Sequence, residues 1–206
     1  MVQGEEKQMR RFVTFEGIDG SGKSTVSKKV YEKLKSKGYK VVLTYEPTDT
    51  FIGKCVQRFI EKKSDPFSTA FAFISDRIEH CKKIKKWLDE GKIVLCDRYA
   101  ESTYAYQGAQ MENMVDEPVK WLKDLSKDRV IRPDRTFVFI IKPEDALVRI
   151  QNRTNLIPFE KKVFLEKVHK NYLKLAVGKQ FMKIDANKTK ADLVAVSYTH
   201  LTLPTN

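Results

Sequence analysis

The stretch at 13–25 reads VTFEGIDGSGKST, and it leaves the chain few folds to choose from. Gly17-Ile18-Asp19-Gly20-Ser21-Gly22-Lys23-Ser24 fits the pattern G-x-x-x-x-G-K-S/T. It follows an apolar run and opens a segment of helical period, the setting in which that pattern binds phosphate. Glycines allow the turns that aim backbone N–H groups inward, and a helix N-terminus adds a dipole that favours an anion. Lys23 is placed to bring a point charge to the β- and γ-phosphates of a nucleotide, and Ser24 to bring a hydroxyl to Mg²⁺.

The rest of the chain repeats this alternation. Short runs rich in Val, Ile and Phe at 11–15, 40–45, 93–96, 135–141 and 181–184 are separated by longer segments of helical period, the pattern of an α/β protein with a parallel sheet. Val26, Val30 and Leu34 recur at four-residue spacing from Lys23 onward, and Gly38 stands where a left-handed residue ends a helix. At 66–90, Phe67, Phe71, Ile74, Ile78, Ile84 and Leu88 form a long apolar stripe closed by Gly91. Pro143 takes a favoured first helical position. No internal repeat or low-complexity linker interrupts the order.

With 206 residues and 41% hydrophobic content, the chain is long enough for one well-cored domain. A single domain is expected over 11–194, behind a polar extension at 1–10. Cys55, Cys81 and Cys96 are far apart without a C-x-x-C pair, against a disulfide framework or zinc site. Cys96 closes the apolar run IVLC and reads as a small buried hydrophobe. The net charge of +12 suits anionic partners. Many of the charges, however, alternate with apolar residues at helical spacing, as in KKVYEKLKSKGYK and HCKKIKKWLDEGK, so they read as a solvated surface rather than a nucleic-acid groove. No run approaches the roughly 18 apolar residues of a membrane span, and the polar start lacks a signal-peptide core. The expected compartment is the cytoplasm.

The last residues break the pattern. From Ala195 the sequence AVSYTHLTLPTN is small, polar and β-branched, and it is expected to interrupt a final amphipathic helix starting near Thr189. It resembles the translation of a sequencing adapter, so 195–206 is read as a non-native tail. A genuine short strand or tail is the other reading.

Ile93-Val94-Leu95-Cys96-Asp97 is an apolar strand ending in a carboxylate, as does the strand that brings an Asp to Mg²⁺ in phosphate-loop proteins. Alone, Asp97 reads equally as a cap or turn residue. Arg98 beside it offers a fork for an oxyanion. Four blocks, FEGIDGSGKST, FISDRIEH, VLCDRYAESTYAYQG, and PEDALVRIQNR with FEKKVFLEKVHKNYLKLA, together resemble thymidylate kinases, which move a phosphate from ATP to dTMP. The resemblance runs from Phe12 to about Asp185. The cradle is shared by many kinases, whereas DRY-x-x-S-x-x-A-Y-Q-G is specific. The FEKKVFLEKV form looks closer to archaeal relatives.

The resemblance implies a three-layer P-loop NTPase fold, a five-stranded parallel sheet flanked by helices. It also implies ATP as co-substrate with Mg²⁺ on Ser24 and Asp97, and a homodimer formed through helices such as the one at 66–90. The cradle, through Thr25 and with Arg149, would hold ATP. Phe73 and Arg77, four apart on one helical face, would stack on thymine and bond its edge. Asp19 would stand near the acceptor sugar and phosphate, Arg98 would grip the monophosphate, and Ser102, Tyr106 and Gln107 would line base and sugar. Core packing for Phe73 and Tyr106, and a surface amide for Gln107, remain alternative readings.

The family divides by whether its catalytic arginine sits in the cradle or in the lid. Position 20 is Gly, so by the family's logic Arg153, with Arg149 one turn before it, brings that charge from a lid at about 149–160. Lys23, Arg98, Arg153 and Asp19 are therefore the candidate catalytic residues. Two departures stand out: Leu156-Ile157-Pro158 replaces the Asp-Arg that bacterial members often carry in the lid, and Tyr45 stands where they often have Arg. One competing reading is a kinase for another monophosphate such as dUMP. A P-loop switch or nucleic-acid-binding ATPase is the other, and Asn187-Lys188-Thr189-Lys190 lacks the Asp of a guanine-reading N-K-x-D.

Overall fold

The computed structural model describes residues 9–151 and 159–202. Five parallel strands, β1 (Arg11–Gly17), β2 (Val41–Tyr45), β3 (Ile93–Asp97), β4 (Arg135–Ile140) and β5 (Phe181–Asp185), form one sheet in the order β2-β3-β1-β4-β5. Helices α1 (Lys23–Ser36), α2 (Phe51–Glu61), α3 (Pro66–Asp89), α4 (Ala100–Gln110), α5 (Pro118–Ser126), α6 (Pro143–Gln151), α7 (Phe159–Leu175) and α8 (Lys190–Thr202) connect and cover the strands. This is the architecture expected from the alternating pattern.

β1 lies at the centre because both its faces are apolar: Phe12, Val13 and Phe15 are buried, as are Val94 and Leu95 of β3 and Phe137 and Phe139 of β4. Such two-sided burial is what a parallel sheet needs under helices on both faces. Where polar groups enter the sheet they pair with each other, as Thr14 of β1 and Thr136 of β4 do at 2.9 Å between hydroxyls. α3 starts as its sequence dictates, with Pro66 in the first turn and Asp65 accepting from the N–H groups of Phe67 and Ser68.

The interruption expected after Ala195 does not occur. α8 runs on to Thr202 because Leu193, Ser197 and Leu201 recur every fourth residue and bury one face. Tyr198 lies under the ammonium of Lys33 on α1, at 4.4 Å from Nζ to ring centre. The Leu201 carbonyl accepts a 2.6 Å hydrogen bond from Arg11 Nη1 at the start of β1.

The 66–90 stripe is divided between core and surface. Ile74, Ile84 and Leu88 turn into the core, and Phe71 remains 48% exposed. Among the described residues no helix is long and apolar enough to cross a membrane.

Candidate active site

The carboxyl ends of β1, β2 and β3 meet on one side of the sheet, where ligands bind in open α/β folds. Backbone bonds lock these ends together: Arg98 N–H donates to Phe15 O at 3.0 Å, and Glu46 N–H to Asp97 O at 3.2 Å. Three groups follow directly: the cradle after Gly17, the Asp97–Arg98 pair after β3, and Glu46 after β2.

In the cradle, Gly17, Gly20 and Gly22 all have positive φ, and Ser21 N–H closes a turn on Ile18 O at 3.2 Å. Ile18 is buried beneath the loop, while Ser24 stands exposed and Thr25 half-buried in the first turn of α1. Lys23 is only 5% exposed, and its Nζ lies 3.8 Å from Asp19 Oδ1. Burial first, then the charge of Arg98, pulls its ammonium down to about 8 despite the carboxylates of Asp19, Asp97 and Glu16. A fresh anion at the loop would favour the protonated form.

Asp97 ends β3 with Oδ1 buried and, among the described residues, without a hydrogen-bond partner. An ionised oxygen left bare is costly, and a divalent cation on oxygen ligands would satisfy it. The donor chemistry of Asp97 and Ser24 therefore fits Mg²⁺.

Arg98 adopts φ +68°, uncommon for a residue with a side chain, and this turns its guanidinium back over the cradle. Nη1 donates to Ser102 Oγ at 3.1 Å and to Gly17 O at 3.4 Å, and Nη2 donates to Asp19 Oδ1. Tyr106 lies beneath it, 5.2 Å from Cζ to ring centre, and its hydroxyl accepts from Asp19 N–H at 3.0 Å. Burial would raise the Asp19 carboxyl, but the charges of Arg98 and Lys23 with hydrogen bonds from Arg98 and Tyr106 bring it below its ordinary value.

These side chains face a cavity of about 790 Å³, within the range of small-molecule sites. Asp19, Phe73, Arg98, Ser102, Tyr106 and Gln107 all line it, six of the seven residues expected around the acceptor. Its far wall comes from the end of α2 and the start of α3, through Phe59, Ile60 and Pro66, and Lys161 and Phe164 of α7 close another side.

The seventh, Arg77, expected on the edge of the base, is fully buried and is not among the residues lining the cavity. Its Nε donates to Glu46 Oε2 at 2.8 Å, and its Nη2 to Thr103 Oγ1 at 2.7 Å and Tyr99 O at 3.2 Å. A guanidinium one turn from Phe73 is drawn inward because Glu46, itself buried, needs a counter-charge. Arg77 Nη1 stays buried without a partner among the described residues. Arg149, expected to hold ATP, reaches the turn after β5 with its guanidinium, donating to Ala186 O at 3.1 Å and Asn187 Oδ1 at 3.4 Å. Arg153 lies outside the described residues.

Among the buried carboxylates that escaped the sequence reading, Glu46 and Glu16 stand at the strand ends that form the site. Glu46 is held between Arg77 and His80, whose Nδ1 is 2.9 Å from Oε1 and whose Nε2 is 2.8 Å from Thr44 Oγ1. Glu16 receives Tyr99 N–H at 2.7 Å, Ser102 Oγ at 2.6 Å and Tyr172 OH at 3.0 Å. Burial raises its carboxyl above the ordinary value, opposed by the Ser102 bond, the Arg98 charge and the bonds from Tyr99 and Tyr172. Glu16 could have been flagged: a carboxylate inside the apolar run RFVTFEG must find partners.

The sequence profile of the thymidylate kinase family matches residues 15–195. A protein of Methanosarcina barkeri named "Probable thymidylate kinase" is 43% identical over 183 residues, covering 87% of this chain and 89% of its own. Proteins of the same name from Methanosarcina acetivorans and Sulfurisphaera tokodaii are 40% identical over 187 residues and 41% over 181. They cover 89% and 86% of this chain, and the matches span 91% and 88% of their own lengths. The chain belongs to the thymidylate kinase family. The cradle and the cavity adjoin each other through Asp19 and Arg98.

Proposed function

We propose that the protein transfers the γ-phosphoryl group of ATP to dTMP, giving ADP and dTDP for dTTP synthesis. The observation that carries this reading is the contact between the phosphate cradle and the cavity lined by Phe73, Ser102, Tyr106 and Gln107, with Arg98 between them. In-line transfer forms a bond from a dTMP phosphate oxygen to the γ-phosphorus as the bond to the β,γ-bridging oxygen breaks. The acceptor oxygen is already ionised, so no strong general base is needed.

The residues' task is to bring two polyanions together. Lys23 and the cradle amides bind the donor phosphates, Arg98 grips the acceptor phosphate, and Asp19 holds the Arg98 fork until substrate arrives. Phe73 stacks the base, while Tyr106 and Gln107 line base and sugar. Ser24 and Asp97 would hold Mg²⁺, which would supply charge neutralisation for the donor phosphates. Arg153 brings a further positive charge from the lid, and Arg149 supports the donor side from the turn after β5. The enzyme acts in the cytoplasm as a homodimer, for which Phe71, half-exposed and edge-on to Trp121 at 6.2 Å, supplies an apolar face.

The test is ADP release with ATP, Mg²⁺ and dTMP, dUMP, dCMP or dGMP in turn, with dTMP expected to turn over fastest. Preference for dCMP or dGMP, or DNA binding that is steeply salt-dependent and tighter than dTMP binding, overturns the reading. Arg153→Ala is expected to lower kcat at least about a hundredfold; near-normal turnover rejects catalysis from the lid.

A further inference from the structure

A carboxylate on the central strand has no access to water, and Glu16 is fully buried. It is tolerated there because three donors converge on it from three elements: Tyr99 N–H from the turn after β3, Ser102 Oγ from α4, and Tyr172 OH from α7. None of these bonds belongs to a sheet or helix ladder. They meet one residue before the first glycine of the cradle.

Ser102 is the informative member. A hydroxyl has one proton and two lone pairs. An ionised carboxylate only accepts, so the 2.6 Å contact commits the Ser102 proton to Glu16 Oε2. The lone pairs then face the other way, and Arg98 Nη1 donates to them at 3.1 Å. Arg98 otherwise rests on Gly17 O at 3.4 Å and on Asp19, which is half-exposed and belongs to the cradle. Glu16 thus fixes from below a buried side-chain anchor of a guanidinium that must stay aimed at the cavity. Tyr172 OH, 2.9 Å from Ser102 Oγ and 3.0 Å from Glu16, ties the same point to α7, the helix that contributes Phe164 and Lys161 to the cavity wall.

We propose that Glu16 is a positioning residue for the acceptor phosphate, acting on Arg98 through the proton of Ser102, with Tyr172 linking that setting to α7. The proposal rests on Arg98 gripping the acceptor phosphate, the reading given above. It separates the two substrates: Glu16 reaches the donor cradle's Lys23 through charge alone, whereas it holds the Ser102 anchor of Arg98 by a direct hydrogen bond, so disturbing it alters acceptor binding first. Glu16→Gln keeps shape and one acceptor oxygen but places an NH₂ group where acceptance was required. Ser102 must then receive from position 16, and its proton turns to the Tyr172 oxygen or is left against Arg98, a guanidinium that only donates.

The experiment is steady-state kinetics on the full chain for Glu16→Gln, Ser102→Ala, the double variant, Tyr172→Phe and Arg98→Ala, with thermal unfolding of each. Glu16→Gln is expected to raise the dTMP KM about tenfold, with the ATP KM within about twofold. The double variant is expected to be no worse than the worse single one, because both break the same path. An unchanged dTMP KM in a natively folded Glu16→Gln protein, equal rises in both KM values, or additive effects overturn the proposal. If Glu16→Gln does not fold, Tyr172→Phe decides: the dTMP KM should rise about threefold, the effect of one hydrogen bond, and no change overturns the proposal. Arg98→Ala separates the two readings. Normal dTMP binding there removes the phosphate-gripping role and this inference with it, whereas weakened binding with an unaffected Glu16→Gln removes the inference alone.

Discussion

At Gly20 φ is +83°, and a Cβ built on it would lie 2.4 Å from the carbonyl oxygen of Ala146 in α6. A side chain there meets left-handed strain and a backbone atom that cannot rotate away. No arginine fits this point of the cradle without displacing α6, which is a physical reason for the charge to be brought from elsewhere. Lys23 is a second residue whose surroundings make a measurable statement. Its ammonium is brought down to about 8 in the free protein, and bound phosphates would raise it again. ATP binding above pH 8 therefore takes up a proton, and affinity should fall about tenfold or more between about pH 7.5 and about 9.5. Calorimetry in two buffers of different ionisation enthalpy reads the proton directly, and Lys23→Arg, which does not titrate there, should flatten the profile. For folding the sign is opposite. The unfolded chain holds the proton up to its ordinary 10.5, so this group's contribution to stability rises with pH between the two values.

At the scale of elements, the cavity wall depends on how α2 hangs from α3. Asp76 of α3 accepts from Thr48 N–H at 2.7 Å, Thr48 Oγ1 at 2.6 Å and Thr50 Oγ1 at 3.1 Å. Thr50 in turn caps α2 by accepting from Gly53 N–H at 3.2 Å. The loop passes so close that a Cβ on Gly53 would lie 1.9 Å from Thr48 O. Asp76→Ala strips three donors of their acceptor and should cost about 2–4 kcal/mol in denaturant unfolding. It should also raise the dTMP KM, since Phe59 and Ile60 of α2 form the wall. In sequence, Asp76 looks like a solvated residue on an amphipathic helix. Spacing puts Arg77 beside it on the face of Phe73, but its bond to Glu46 depends on β2, some thirty residues earlier.

For the whole molecule, the C-terminal helix closes the sheet's flank. Leu201 is fully buried and its carbonyl is bound by Arg11, so Leu201→Ala should cost about 2–5 kcal/mol by chemical unfolding. Unchanged stability would mean that 195–202 does not contribute to the core. That packing was hidden in AVSYTHLTLPTN, whose composition argues against a helix while its four-residue spacing supports one once α1 offers an apolar surface. Other features were legible along the chain. The strand-loop-helix cradle, the alternation that requires a parallel sheet, and the DRY-x-x-S-x-x-A-Y-Q-G block are all local, set by periodicity, glycine placement and neighbouring residues. The tertiary structure alone decided the pairings across distance: Glu46 with Arg77 and His80, Asp76 with the β2–α2 loop, and Glu16 with Ser102 and Tyr172. A buried charge takes whatever partner the fold brings within about 3 Å, and that partner is fixed by strand order, which no local pattern contains.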